Sequence, residues 1–316
     1  MMAEAQANDD IFVYTGGDQV VPRNVRRVRI DKSITIIPER AFYGRRRLIY
    51  VEFHDGVERI EKRAFNDCYS LIGPIKLLGV KQIEAGAFCD CVGLTEVEFG
   101  SQLETIGRRA FDYCTSLRNV TMPSARIIEG WAFANCQQLT DLELPEGLDA
   151  MGEYAFNCCY RVRRIAMPLE CMIGDDTFNC PDLTTVDLVG GVHRTVASLH
   201  LESWRNEMKG EMNRINQALP NTFGREKTEI IQQWTRAVIS RLDHYKDKHR
   251  SLLKEATTLL ELALWKAKIE EKEEGSLGDV MAKRAKIDVQ SKRSERRITS
   301  GANIVIKNVL PFLELN

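Results

Sequence analysis

The stretch "GRRAFDYCTSLRNVTMP", Gly107–Pro123, decides the fold because the chain repeats it. One period upstream stands "AGAFCDCVGLTEVEF" (Ala85–Phe99), and one downstream "GWAFANCQQLTDLELP" (Gly130–Pro145). Ala-Phe pairs fall at Ala41-Phe42, Ala64-Phe65, Ala87-Phe88, Ala110-Phe111, Ala132-Phe133 and Ala155-Phe156, and a seventh copy has Thr177-Phe178. The steps between phenylalanines are 23, 23, 23, 22, 23 and 22 residues. A fixed period in this range marks a solenoid.

Other columns keep register with the phenylalanine. Five residues before it stand Ile37, Ile60, Ile83, Ile106, Ile128, Met151 and Ile173; six after it stand Leu48, Leu71, Leu94, Leu117, Leu139 and Val162, with Leu183 one earlier. Short alternating stretches follow, such as Val97-x-Phe99, Leu142-x-Leu144 and Val186-x-Leu188, and their period of two predicts strands. The Ala-Phe-x-x-Cys segment is too short for a helix and predicts a single turn. Gly107, Gly152 and Gly174 precede it, where a tight bend is expected. The few apolar side chains of one copy cannot offset the entropy of ordering it, so copies must stack and share one core.

The pattern I-G/E-x-x-A-F-x-x-C-x-x-L-x-x-V-x-F/L-P resembles the BspA-like, treponemal-type leucine-rich repeat over about Ile34–Gly191, half of the chain. The whole layout, with "VYTGG" at Val13–Gly17 ahead of the repeats and a helical tail behind, is similar to diatom-type members of that family. The resemblance implies a right-handed solenoid that recognises proteins or other macromolecules and carries no catalytic residues. The expected class is α+β: a right-handed leucine-rich-repeat solenoid with short parallel strands, about seven repeats of 22–23 residues, followed by an α-helical module. Residues 1–33 are expected to form an N-terminal cap, with Tyr14–Arg29 covering the first coil and Val25-x-x-Val28-x-Ile30 adding a strand. The solenoid then takes 34–191, the helical module 192–275, a basic linker 276–300 and an apolar segment 301–316.

Strand residues between core positions point outward. One column reads Glu52, Lys76, Glu98, Thr121, Glu143, Ala166 and Asp187; another reads Tyr50, Gly73, Glu96, Asn119, Asp141, Arg164 and Thr185; a third holds Arg118 and Arg163. Tyr50, Glu52, Glu96, Glu98, Arg118, Asn119, Asp141, Glu143, Arg163, Arg164 and Asp187 are therefore the candidate partner-binding residues. Charge patterning on such a face sets selectivity; a solvated polar face is the plainer alternative.

Cys68, Cys91, Cys114, Cys136 and Cys159 lie three residues after the phenylalanine, and Cys180 two after, with Arg45 at that place in the first copy. Cys89-x-Cys91 and Cys158-Cys159 invite a metal reading. Zinc needs four converging ligands, whereas this column supplies one thiol per coil. The expectation is a small buried side chain bonded to a backbone carbonyl, with no cofactor. His193, His200, His244 and His249 stand at neither metal nor triad spacing, and no nucleophile elbow or phosphate loop occurs.

After Gly190-Gly191 the period vanishes. Leu201, Trp204, Met208, Met212, Ile215 and Leu219 predict an amphipathic helix stopped by Pro220. A second helix begins near Thr228, its face being Ile231, Trp234, Val238, Leu242, Tyr245, Leu252, Ala256, Leu259 and Ala263, with a break at Gly275-Ser-Leu-Gly278. These helices either cap the last coil or pair with another chain, self-association running through 228–274. Beyond them Lys283, Arg284, Lys286, Lys292 and Arg293 suit nuclear import or phosphate contact.

A net charge of −1 gives no global pull on nucleic acid or membrane. Met1–Asp10 has neither the basic start nor the apolar core of a signal peptide, so the nine cysteines are expected as thiols inside the cell, cytoplasmic or nuclear. The function expected is a non-catalytic scaffold for a protein partner. A cell-surface recognition protein and an enzyme in the C-terminal half are the alternatives.

Overall fold

Each repeat is one coil of a parallel stack, in a computed structural model that describes residues 11–189 and 202–281. The alternating stretches form three three-stranded parallel sheets: Phe12–Tyr14, Arg27–Ile30 and Tyr50–Glu52; Gly73–Leu77, Leu94–Phe99 and Asn119–Thr121; Asp141–Glu143, Arg164–Met167 and Thr185–Leu188. A second sheet is continuous. It takes two residues from each coil, Ile36–Ile37 through Met172–Ile173, in seven parallel strands. Val51, Val97, Leu142, Ile165 and Val186 turn into the core, as do Ile37, Ile60, Ile83, Ile106 and Ile128 of the second sheet.

Between the two sheets the core is a column of rings. Phe42, Phe65, Phe88, Phe111, Phe133, Phe156 and Phe178 are fully buried. Neighbouring rings stack with centroids 4.7 Å apart at Phe42–Phe65, widening to 6.0 Å at Phe156–Phe178. Tyr14 closes the column edge-on against Phe42 at 5.0 Å. Stacked rings add to the burial of apolar area.

The turn that carries the phenylalanine has its own hydrogen-bond ladder. Residues two before the ring, among them Arg63, Arg109, Trp131 and Tyr154, have φ near +55° to +63°, and so do residues two after it, among them Asp67, Asp90 and Asn135. Left-handed backbone at both places aims alternate amides at the following coil. The N–H groups of Arg40, Phe42 and Gly44 donate to the carbonyls of Lys62, Ala64 and Asn66 at 3.0, 2.7 and 2.8 Å. Every later phenylalanine amide up to Phe156 repeats the bond. These turn donors all point toward the C-terminus, and the last coil is left with amides and carbonyls that no further coil meets.

Helices fill that need. Helix α1 spans Glu202–Ala218, a short 3-10 turn holds Leu219–Asn221, and helix α2 spans Glu226–Met281. Met208–Ile239 belongs to the same compact unit as the coils. The Phe178 N–H donates to Oγ1 of Thr228 at 2.8 Å, and the Val186 N–H to Oδ1 of Asn216 at 2.8 Å. Gln232 donates Nε2 to the carbonyl of Ile173, and Lys227 donates Nζ to those of Pro181 and Leu183. Burial holds the Lys227 ammonium below its ordinary pKa. Met208, Met212, Ile215, Leu219, Ile231, Trp234 and Val238 are buried, as their spacing predicts. The capping role expected of the helices thus holds for this unit.

Three expectations change. Gly107, Gly152 and Gly174 do not supply a positive φ. They are needed because coils approach closely: a Cβ on Gly107 would lie 2.7 Å from the Ile83 carbonyl oxygen, and one on Gly174 2.6 Å from the Glu153 nitrogen. Nor does Gly275-Ser-Leu-Gly278 break the helix, since α2 continues to Met281. An isolated glycine costs a helix only about 1 kcal/mol against alanine. Residues 228–238 of the span expected for self-association are committed to the cap, whereas Leu252, Leu259, Leu262, Leu264 and Trp265 are exposed. Gly190-Gly191, His193, His200, Lys283, Arg284, Lys286, Lys292, Arg293 and the segment 301–316 lie outside the described residues, as do the side chains of Trp204 and His249.

Thr228→Val removes the side-chain acceptor of the Phe178 amide while keeping its shape. A buried donor left unpaired costs about 1–3 kcal/mol. Hydrogen exchange read residue by residue should show faster exchange at Phe178, with the amide of Phe88 unchanged.

Candidate partner-binding face

Alternation along each strand fixes which side chains face solvent, and parallel register fixes their neighbours. Pro74, Glu96 and Asn119 stand side by side, as do Lys76, Glu98 and Thr121. Further along the stack Asp141, Arg164 and Thr185 form one row, and Glu143, Ala166 and Asp187 another. Ahead of them Arg27 pairs with Tyr50 and Arg29 with Glu52. All eleven candidate residues therefore lie on the three short sheets or at the strand starts beside them.

Their electrostatic states differ. Glu52 is held by Arg29 at 2.8 Å, Glu98 by Lys76 at 2.9 Å and Asp187 by Arg164 at 2.7 Å. The Arg27 guanidinium sits 5.4 Å from the Tyr50 ring centroid. Glu96, Asp141 and Glu143 are exposed and engage no other described side chain, and the same is true of Arg118 and Arg163. The second sheet contrasts with this: Lys81 meets Glu58 at 3.0 Å, Arg126 meets Asp149 at 2.7 Å and Arg108 meets Glu153 at 3.1 Å.

Two positions depart from expectation. Ala166 is 2% exposed and belongs to the core, not to the outward column. Opposite Glu96 stands Pro74 instead of Gly73, because Gly73 adopts φ +83° and the register shifts there. Proline has no N–H for the ladder, and the strand sheet breaks between Tyr50–Glu52 and Gly73–Leu77. Arg26, Arg27 and Arg29, which extend the face by one coil, went unassigned. The signal was present in Val28-x-Ile30, whose alternation turns Arg27 and Arg29 outward.

The cysteine column is structural, as expected. Cys68, Cys91, Cys114, Cys136, Cys159 and Cys180 are fully buried, each donating its S–H to the carbonyl of the preceding coil's phenylalanine at 3.2–3.3 Å. In the first copy Arg45 takes over this bond, with Nε donating to the Val21 carbonyl at 3.1 Å. Burial pushes the Cys68 thiol up to about 12 and lifts those of Cys91, Cys114 and Cys136 further. Among the described residues no group of three or more His, Cys, Asp or Glu converges as a metal site would. No described helix is long and apolar enough to cross a membrane.

The BspA type leucine-rich repeat region matches residues 22–125 and 81–198 in six copies. Those spans cover more than half of the 316 residues, and the chain belongs to the BspA type leucine-rich repeat family. The family implies a protein-interaction or surface-recognition role. Similar solved structures include a leucine-rich repeat protein from Bacteroides ovatus, at 25% identity and TM-score 0.48 over 52% of this chain and 50% of that one. The leucine-rich repeat protein of T. pallidum is 28% identical at TM-score 0.37, over 41% of this chain and 63% of that one. A leucine-rich cell surface protein from Faecalibacterium prausnitzii is 22% identical at TM-score 0.36, over 57% and 70%. The chain thus spans half of the first protein and under two thirds of the second. No curated protein matches it.

Raised thiol pKa values carry a sign. A folded thiol held above the ordinary 9.0 favours the fold below that pH, and the advantage is lost as pH rises from 9 toward the folded value. Cys114→Ala should therefore be less stable than the parent protein at pH 7, with the gap narrowing above pH 9. Urea midpoints measured from pH 7 to 11 check this.

Proposed function

We propose that this protein is a non-catalytic interaction scaffold that recognises a protein partner on the strand face of its solenoid. One observation supports this most: Glu96, Asp141, Glu143, Arg118 and Arg163 are exposed there and engage no other described side chain, whereas Glu58, Arg108 and Arg126 beside the second sheet are held in ion pairs. Exposed, unpaired charges arranged on a rigid surface cost nothing to free when a partner arrives, and they steer association. On this reading the chain works inside the cell, cytoplasmic or nuclear, with a protein as its partner in preference to nucleic acid or a membrane. A surface-recognition role would use the same face, and protease treatment of intact cells tells the two apart. Leu252, Leu259 and Trp265 on α2 are the part of 228–274 left for self-association.

The full chain with Glu96, Asp141 and Glu143 all changed to Lys should lose a partner captured by the parent chain from native lysate. A chain with Glu58, Asp149 and Glu153 changed to Lys should keep it. Equal capture by both variants would remove the strand face from recognition.

A further inference from the structure

Resting on the strand face as the partner-binding surface, the spacing of its free charges describes the occupant. Glu96, Arg118, Asp141 and Arg163 come from four successive coils, and their signs alternate. All four are exposed and engage no other described side chain. Glu143 reinforces Asp141 on the same strand. The face therefore carries a row of acids, Glu96 and Asp141 two coils apart in one outward column with Asn119 between them, and beside it a neighbouring column in which Arg118 and Arg163 stand next to Thr95 and Thr140.

The physical repeat of that row is two coils. Parallel strands lie about 4.8 Å apart, so like charges recur about every 9.6 Å. A fully extended β-peptide laid along the stack cannot match this. Its same-side residues recur at i and i+2, about 6.6 Å apart, and its i and i+3 side chains point to opposite faces. A polyproline II helix does match. It has three residues per turn at about 3.1 Å each, so i and i+3 lie on one side about 9.3 Å apart.

A second feature favours the same occupant. Toward the N-terminus the row ends in an apolar and aromatic pad, with Tyr50 40% exposed, Ile72 58% exposed, and Pro74 beside Glu96. The Arg27 guanidinium steadies the Tyr50 ring from one side. Aromatic and apolar surface is what proline rings pack on, and a preformed polyproline II segment loses little entropy on docking.

We propose that the strand face binds a polyproline II peptide laid along the stack, with a basic residue at every third position meeting Glu96 and Asp141–Glu143. Its proline rings lie against Tyr50, Ile72 and Pro74. Arg118 and Arg163 reject a basic residue at the intervening positions, so spacing, and not total charge alone, is read.

The test is fluorescence anisotropy of labelled peptides titrated with the full chain at low salt. One probe has four Lys-Pro-Pro units; a second has the same twelve residues with its four lysines in one block. The first should bind about tenfold more tightly than the second. Binding should vanish in the Glu96→Lys, Asp141→Lys, Glu143→Lys protein, which should instead take up a Glu-Pro-Pro probe. Unfolding curves confirm that the variant is folded, and Glu96→Gln with Asp141→Asn replaces it if it is not. Equal affinity for the two lysine probes overturns the proposal, because net charge then explains binding. Absence of binding by either probe overturns it as well. If partner capture still depends on Glu96, Asp141 and Glu143 in that case, the face stands and only its occupant falls; if capture does not, both fall together.

Discussion

Everything in this fold depends on the bond from each phenylalanine amide to the next coil. The Phe42 N–H reaches the Ala64 carbonyl at 2.7 Å, and the bond recurs coil after coil. To make it, the backbone must enter the left-handed region two residues before and two after the ring. For residues as large as Arg109 and Trp131 that conformation is unfavourable in isolation. Stacking offsets it locally: Arg109 lies 5.5 Å from the Trp131 ring centroid, and Trp131 stacks on Tyr154 at 4.4 Å. The close approach of coils then dictates the other columns. A small thiol fits under the turn where its S–H finds a carbonyl, and glycine stands where a Cβ would strike the coil before.

Much of this was legible in the sequence because stacking copies the same environment seven times. Phe, Ile, Leu and Cys recur at fixed offsets, and recurrence reveals the core without any knowledge of its geometry. The two helices were legible from their 3.6-residue spacing. The left-handed positions two before the ring were not, because their column reads Arg, Arg, Gly, Arg, Trp, Tyr and Asp, and only Gly86 announces such a backbone; the column two after it, with Gly44, Asp67, Asp90 and Asn135, carries residues that tolerate it. The same holds for the extent of α2, where two glycines suggested an end and the surrounding helix formers prevailed.

The candidate face was legible in outline but not in its electrostatics. Alternation placed Glu52, Glu96, Glu98 and Asp187 outward together. It could not show that Glu52, Glu98 and Asp187 are already neutralised by Arg29, Lys76 and Arg164, since each pair is about 23 residues apart in sequence and meets only across the stack. Surface pairs of this kind add little stability, about 0–1 kcal/mol. Their larger effect is to decide which charges remain for a partner. A buried Ala166 was likewise invisible to a rule that assumes strict alternation, whereas the register shift at Gly73 was legible in Ile75-x-Leu77, which stands one residue late against its neighbours.

The one-way sense of the turn's amide ladder bears on how copies of a bare stack would meet end to end. In the turns each coil presents donors on one side and acceptors on the other, and the strands bond in both directions, so the two ends of a bare stack would be complementary to each other. Such an arrangement is heterologous and has no point-group closure; copies could add head to tail without limit. At the C-terminal end Thr228 and Asn216 accept from amides of the last coil while Gln232 and Lys227 donate to its carbonyls, so side chains from two helices take the place of a further coil. The helical module is in this sense a chain terminator, and it sets the length of a structure whose repeat has no inherent length.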